Sequence, residues 1–136
     1  MTIKKKRTLA STLVALFAAT AMTATAFAAT FDFSLYYGGD EYSEVATKWN
    51  SLSYATVNVE DGNFWDSDRL YLRVCENKQA SDGVYNFATE TKWVNNTYSG
   101  LELKYYTGEN VYRGEYRLRG YQAAEQSINA NGTWTP

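Results

Sequence analysis

From residue 30 onward the side chains change character every second position, in short runs broken by glycine, asparagine and aspartate. A period of two marks a half-buried strand, and no stretch shows the 3.6-residue period of an amphipathic helix. Proline, which would interrupt a central strand, occurs only at Pro136. The chain is therefore expected to be all-β. Phe31, Phe33, Leu35 and Tyr37 share one side of 30–37, and Ala55, Val57 and Val59 one side of 54–60. Leu70, Leu72 and Val74 alternate with Arg69, Tyr71, Arg73 and Cys75. Tyr85, Phe87, Thr89, Thr91 and Trp93 share one face of 84–94, and Leu101, Leu103 and Tyr105 one face of 101–106. In 111–122, Arg113, Glu115, Arg117, Arg119 and Tyr121 alternate with Tyr112, Gly114, Tyr116, Leu118 and Gly120. A weaker strand is expected over 44–49 and a final edge strand over 128–134; 122–127 reads as a loop or helical turn. About eight strands predict an antiparallel β-sandwich, jelly-roll or immunoglobulin-like, with a barrel as the alternative.

The first residues stand outside that pattern. Lys4, Lys5, Lys6 and Arg7 precede an uncharged stretch, 9–24, and Ala26-Phe27-Ala28 offers small residues for cleavage. This is the layout of a bacterial secretory signal over 1–28, cut after Ala28. The rival is an uncleaved anchor, but the apolar stretch is diluted by threonine and near the lower limit for spanning about 30 Å of hydrocarbon. The chain also ends at Pro136 without a hydrophobic tail. The expectation is a secreted domain over 29–136, with no stable membrane insertion once the signal is removed.

The leader holds four of the 13 cationic residues and none of the 15 acidic ones, so its loss moves the net charge from −2 to about −6. Nucleic acid and anionic membranes are disfavoured as partners, because phosphate binding rests on cationic charge. With 0 histidines, the Ser-His-Asp and Cys-His mechanisms are excluded and the usual zinc ligands are missing. No cofactor is expected. Cys75 is the sole cysteine, so it is either a buried thiol or a bridge between two chains that would make a dimer. Aliphatic residues are too few to fill a sandwich alone, so many of the 12 tyrosines must be structural.

The candidate binding residues follow from the arginines. Arg69, Arg73, Arg113, Arg117 and Arg119 all lie on two runs, on the side opposite the apolar residues, with Tyr71 and Tyr121 beside them. A guanidinium fork suits carboxylate or phosphate, so an Arg/Tyr face would fit a glycan, an anionic wall polymer or an acidic partner protein. The plain alternative is a solvated strand face whose arginines pair with carboxylates, Glu115 first. The turn 61–68 offers Phe64 and Trp65 as a loop aromatic pair, either exposed for contact or folded over the sandwich as a lid. Its Asp61, Asn63, Asp66 and Asp68 form a weak calcium candidate, since Asx-rich turns arise for backbone reasons alone.

The ending "NGTWTP", preceded by "YRLRGYQ", resembles small secreted single-domain proteins of Gram-positive bacteria that close on a Gly-X-Trp motif, here Gly132 and Trp134. The resemblance covers about the last 25 residues; it implies an exported β-rich domain and no catalytic residue. The expected function is a non-catalytic binding module. The alternatives are a bacteriocin-like or immunity factor, a small hydrolase of glycans using two carboxylates, and a self-assembling matrix protein.

Overall fold

The computed structural model describes residues 28–106, 114–123 and 126–136. The expected signal over 1–28 lies outside them but for Ala28. Every regular element described is a strand: β1 (Ala29–Leu35), β2 (Asp40–Tyr42), β3 (Ala46–Lys48), β4 (Tyr54–Gly62), β5 (Leu70–Gln79), β6 (Tyr85–Phe87), β7 (Lys92–Val94), β8 (Tyr98–Lys104), β9 (Gly114–Gln122) and β10 (Ile128–Thr135). They form two antiparallel sheets rather than a barrel. One is four-stranded in the order β1-β10-β4-β8. The other is centred on β9 and β5, with β2 and β3 sharing the free edge of β9 and β6 and β7 sharing that of β5.

The two-residue rhythm sorts the side chains as expected. Phe31, Phe33, Leu35, Val57, Val59, Leu70, Leu72, Val74, Leu103, Leu118, Ile128 and Trp134 are buried between the sheets. Gly120 faces this interior because Phe33, from the opposite sheet, lies against its Cα. A Cβ there would sit 2.5 Å from the Phe33 ring. At Gly132 the ladder between β10 and β4 shifts register, and a Cβ would fall 1.9 Å from the Asn58 carbonyl oxygen. Asn58 holds the irregularity, its amide donating to Thr133 Oγ1 at 3.2 Å and its Oδ1 accepting from Gly100 N at 2.8 Å.

Three expectations need correction. The run 84–94 is not one strand. Between β6 and β7 the chain turns inward, and Thr89 is buried with its Oγ1 accepting from Val74 N at 2.9 Å. The same device divides the strand expected over 44–49 from β2: buried Ser43 places its Oγ to accept from Leu118 N at 2.9 Å. A hydroxyl that replaces a carbonyl in the ladder ends regular pairing on each flank of the central strands. Tyr37 leaves the apolar side for the exposed turn after β1, closed by Gly39 N donating to Tyr36 O at 2.8 Å. And β10 is no edge strand: it lies between β1 and β4. Residues 111–113, including Arg113, and 124–125 lie outside the described residues.

Candidate functional site

The antiparallel register of β5 and β9 settles the outer face of the six-stranded sheet. Tyr71 stands opposite Tyr121, Arg73 opposite Arg119 and Cys75 opposite Arg117. The short flanking strands extend these rows. Trp93 joins Tyr71, Phe87 joins Cys75, Tyr42 joins Arg119 and Asp40 joins Tyr121. Of the residues expected on this face, Arg69, Tyr71, Arg73, Arg117, Arg119 and Tyr121 are brought together. Trp93, Phe87, Tyr85, Tyr42 and Tyr106 are added to them.

Two guanidiniums placed directly opposite each other would repel. Here each lies on a ring. Arg73 sits 3.6 Å from the centroid of Phe87, and Arg119 lies 5.6 Å from the same ring and 4.7 Å from Tyr121. Arg69 lies 4.5 Å over Trp93 and Arg117 5.4 Å over Tyr85. Each such contact contributes about 0.5–1 kcal/mol at an exposed site. Tyr71 and Tyr121 stack 4.8 Å apart at 12°, so these rings stand on edge with their faces turned to each other. Trp93, Phe87, Tyr85 and Tyr121 thus each lie against a guanidinium.

The four described arginines are not equivalent. Arg117 is tied inward, its Nε donating to Asn77 Oδ1 at 2.8 Å and an Nη to the Ser43 carbonyl at 3.1 Å. Arg73 donates one Nη to the Thr89 carbonyl at 3.0 Å and to the Tyr106 hydroxyl at 2.8 Å. Arg119 pairs through Nε with Asp40 at 3.0 Å, and among the described residues nothing occupies its terminal nitrogens. Arg69 has neither ion pair nor hydrogen bond among them. None of the described arginines pairs with Glu115, whose carboxylate accepts from Asn77 at 3.0 Å. The only ion pair of an arginine among the described residues is Arg119–Asp40.

Cys75 has outward parity yet is fully buried. Tyr42 and Tyr85 reach from opposite edges of the sheet and meet with centroids 4.8 Å apart, roofing the central strands. Burial pushes the Cys75 thiol up to about 11, against the pull of Arg119 and Arg73. Burial also raises Tyr42, partly offset by Arg119. The thiol is therefore protonated at neutral pH and covered from solvent.

The turn after β4 divides its expected aromatic pair. Phe64 is half-buried, packed against the core and over Gly62, as a lid; Trp65 is 63% exposed. Three of the oxygen groups of that turn accept from backbone N–H groups, two within the turn and one on β10. Asp68 is buried and accepts from Trp65 N at 2.9 Å, Asp61 accepts from Gly62 N at 2.8 Å, and Asn63 accepts from Asn129 N at 2.7 Å. Asp66 is exposed. Among the described residues no group of three or more His, Cys, Asp and Glu side chains is placed to hold a metal.

The residues that sequence reasoning missed were hidden by non-local pairing. Trp93 and Phe87 carried the right parity within 84–94, but nothing local shows that β6 and β7 both lie along β5. No known protein-family model, curated protein or solved structure matches the chain.

Proposed function

We propose that this protein is an exported, non-catalytic binding module whose six-stranded sheet grips a polyanion, an acidic glycan or a wall phosphate polymer. The observation that carries this reading is the state of the arginines. They are stacked on rings and largely unpaired with carboxylates, on a chain whose net charge is acidic. The described outer face of the six-stranded sheet carries Arg69, Arg73, Arg117 and Arg119 against Asp40 and Glu115. That of the four-stranded sheet carries Asp32, Glu60, Asp61 and Glu102 against Lys104. The sandwich is thus electrically two-sided, which orients an approaching anionic polymer toward one face.

Stacking also lowers the cost of binding. A free arginine loses rotamer freedom when it meets an anion, whereas a guanidinium already held on Phe87 or Trp93 loses less. The resemblance of the C-terminal end to exported Gram-positive proteins agrees with a polymer of the cell envelope as ligand.

The test compares retention of residues 29–136 on immobilised acidic and neutral polysaccharides at low and high salt. Wild type should be held by the acidic polymers and released by salt, because surface charge is screened over about 10 Å at 0.1 M. Arg69→Glu/Arg119→Glu should abolish retention, while Asp32→Asn/Asp61→Asn on the opposite sheet should not weaken it. Arg73 and Arg117 are poor probes, since their bonds to Thr89, Asn77 and Ser43 are structural. Equal retention of the Arg69/Arg119 variant sinks the reading.

A further inference from the structure

At the end of β5 a shallow depression of about 170 Å³ is lined by Ser67, Arg69, Tyr71 and Ala123. Its charged wall is Arg69, whose guanidinium lies on Trp93 and has no hydrogen bond or ion pair among the described residues. Ser67 adds a hydroxyl, and Tyr71 a ring edge fixed by its stack on Tyr121. A planar fork, a neighbouring hydroxyl and a rigid wall together suit one anionic oxygen group.

The second guanidinium with unoccupied terminal nitrogens is Arg119, on the other side of the Tyr71–Tyr121 pair. Arg69 and Arg73 are four residues apart along β5, roughly 13 Å at the usual strand rise. Arg119 is the direct neighbour of Arg73. The two available forks are thus two same-face rows apart, with the tyrosine stack on the row between them.

We propose that the Ser67–Arg69–Tyr71 depression is a second anion subsite and that the protein selects linear polyanions long enough to reach both Arg69 and Arg119. This rests on the binding-face reading and adds to it a minimum ligand length. A single carboxylate or phosphate engages one fork and binds weakly. A chain with anionic groups repeated along it engages both, and the second contact forms at high effective concentration. Carboxylate and phosphate share this chemistry, and the choice of polymer tells them apart.

The experiment is calorimetric titration of residues 29–136 with galacturonic acid, with oligogalacturonides of increasing length, and with inorganic polyphosphate. Affinity should climb about a hundredfold between the monomer and the chain that first spans both forks, then level. Arg69→Gln should reduce binding of the long chains to that of the short ones, and Arg119→Gln should do the same. Arg69→Lys, which keeps the charge and loses the fork, should fall between. Near-ultraviolet circular dichroism shows whether each variant keeps the native packing. Whichever of the carboxylate and phosphate chains shows the Arg69-dependent length effect identifies the anion. Arg69→Gln with the length effect intact overturns the subsite and leaves the face standing, provided Arg119→Gln still loses affinity. Wild type that binds none of the chains overturns both.

Discussion

Gly120→Ala tests the packing that holds the outer arginine face in place. Gly120 is an inward residue of β9, and its backbone φ is one that alanine tolerates, so the effect comes from space alone. The new Cβ would lie 2.5 and 2.6 Å from two carbons of the Phe33 ring. Ordinary carbon contacts are about 3.5–4.0 Å, so the ring or the strand must move by about 1 Å. Phe33 has little room to yield. It is only 1% exposed and its centroid is 4.9 Å from that of Phe31. Overpacking of this kind costs about 1–3 kcal/mol. Alanine also lowers the entropy of the unfolded chain, which returns about 0.4–1 kcal/mol. The expected net loss is about 1–2 kcal/mol, a fall in Tm of roughly 4–8 °C for a domain of this size. Urea titration of wild type, Gly120→Ala, Phe33→Leu and the double variant forms the cycle. In the Phe33→Leu background the alanine should cost less than half as much. A neutral Gly120→Ala, or equal costs in both backgrounds, refutes the close contact between the sheets.

Three further outcomes are expected. Cys75, buried and held near 11, should react with iodoacetamide at pH 7.5 far more slowly than a free thiol and speed up on unfolding, and the chain should run as a monomer on a non-reducing gel; fast labelling of the folded protein contradicts this. Lys48 is fully buried in the sandwich, against Asn50 Oδ1 and 4.9 Å from the Tyr105 centroid, and burial lowers its pKa from the ordinary 10.5. The unfolded chain therefore binds that proton more tightly, so this residue's contribution to stability improves as pH rises from the depressed value to 10.5 and is constant below it. Lys48→Met should be more stable than wild type at pH 7, with a smaller advantage at pH 10; the same advantage at both pH values rules the explanation out. Asp40→Asn removes the carboxylate paired with Arg119, an exposed pair contributing at most about 1 kcal/mol to stability. It should raise affinity for an acidic polysaccharide several-fold at low salt, and a loss of affinity would show that Asp40 contacts the ligand.

The layers were legible in the sequence because a period of two assigns each strand residue to a face without knowledge of its partners. Phe31, Phe33, Leu72 and Leu118 went inward and Arg73, Arg117 and Arg119 outward on that ground. Pairing is a property of distant segments, and there the reading stopped. That Trp93 and Phe87 would lie beside Tyr71 and Cys75 depends on the path of β6 and β7 along β5, and parity is silent on it. The breaks at Ser43 and Thr89 were equally hidden, because each hydroxyl acts on the backbone of a strand far along the chain. The central place of β10 depends on Gly132, whose missing Cβ admits the Asn58 carbonyl. Burial of Cys75 despite its outward parity depends on two tyrosines that cross the sheet from its opposite edges.

The most direct measurement follows the arginine side-chain resonances by NMR as an acidic polysaccharide is added. Arg69 and Arg119, whose terminal nitrogens make no hydrogen bond or ion pair among the described residues, should shift with the ligand, while Arg117, bonded to Asn77 and Ser43, should move little. Shifts confined to the Trp65 turn or to the opposite sheet, or no shift in either guanidinium at saturating polymer, would contradict the account.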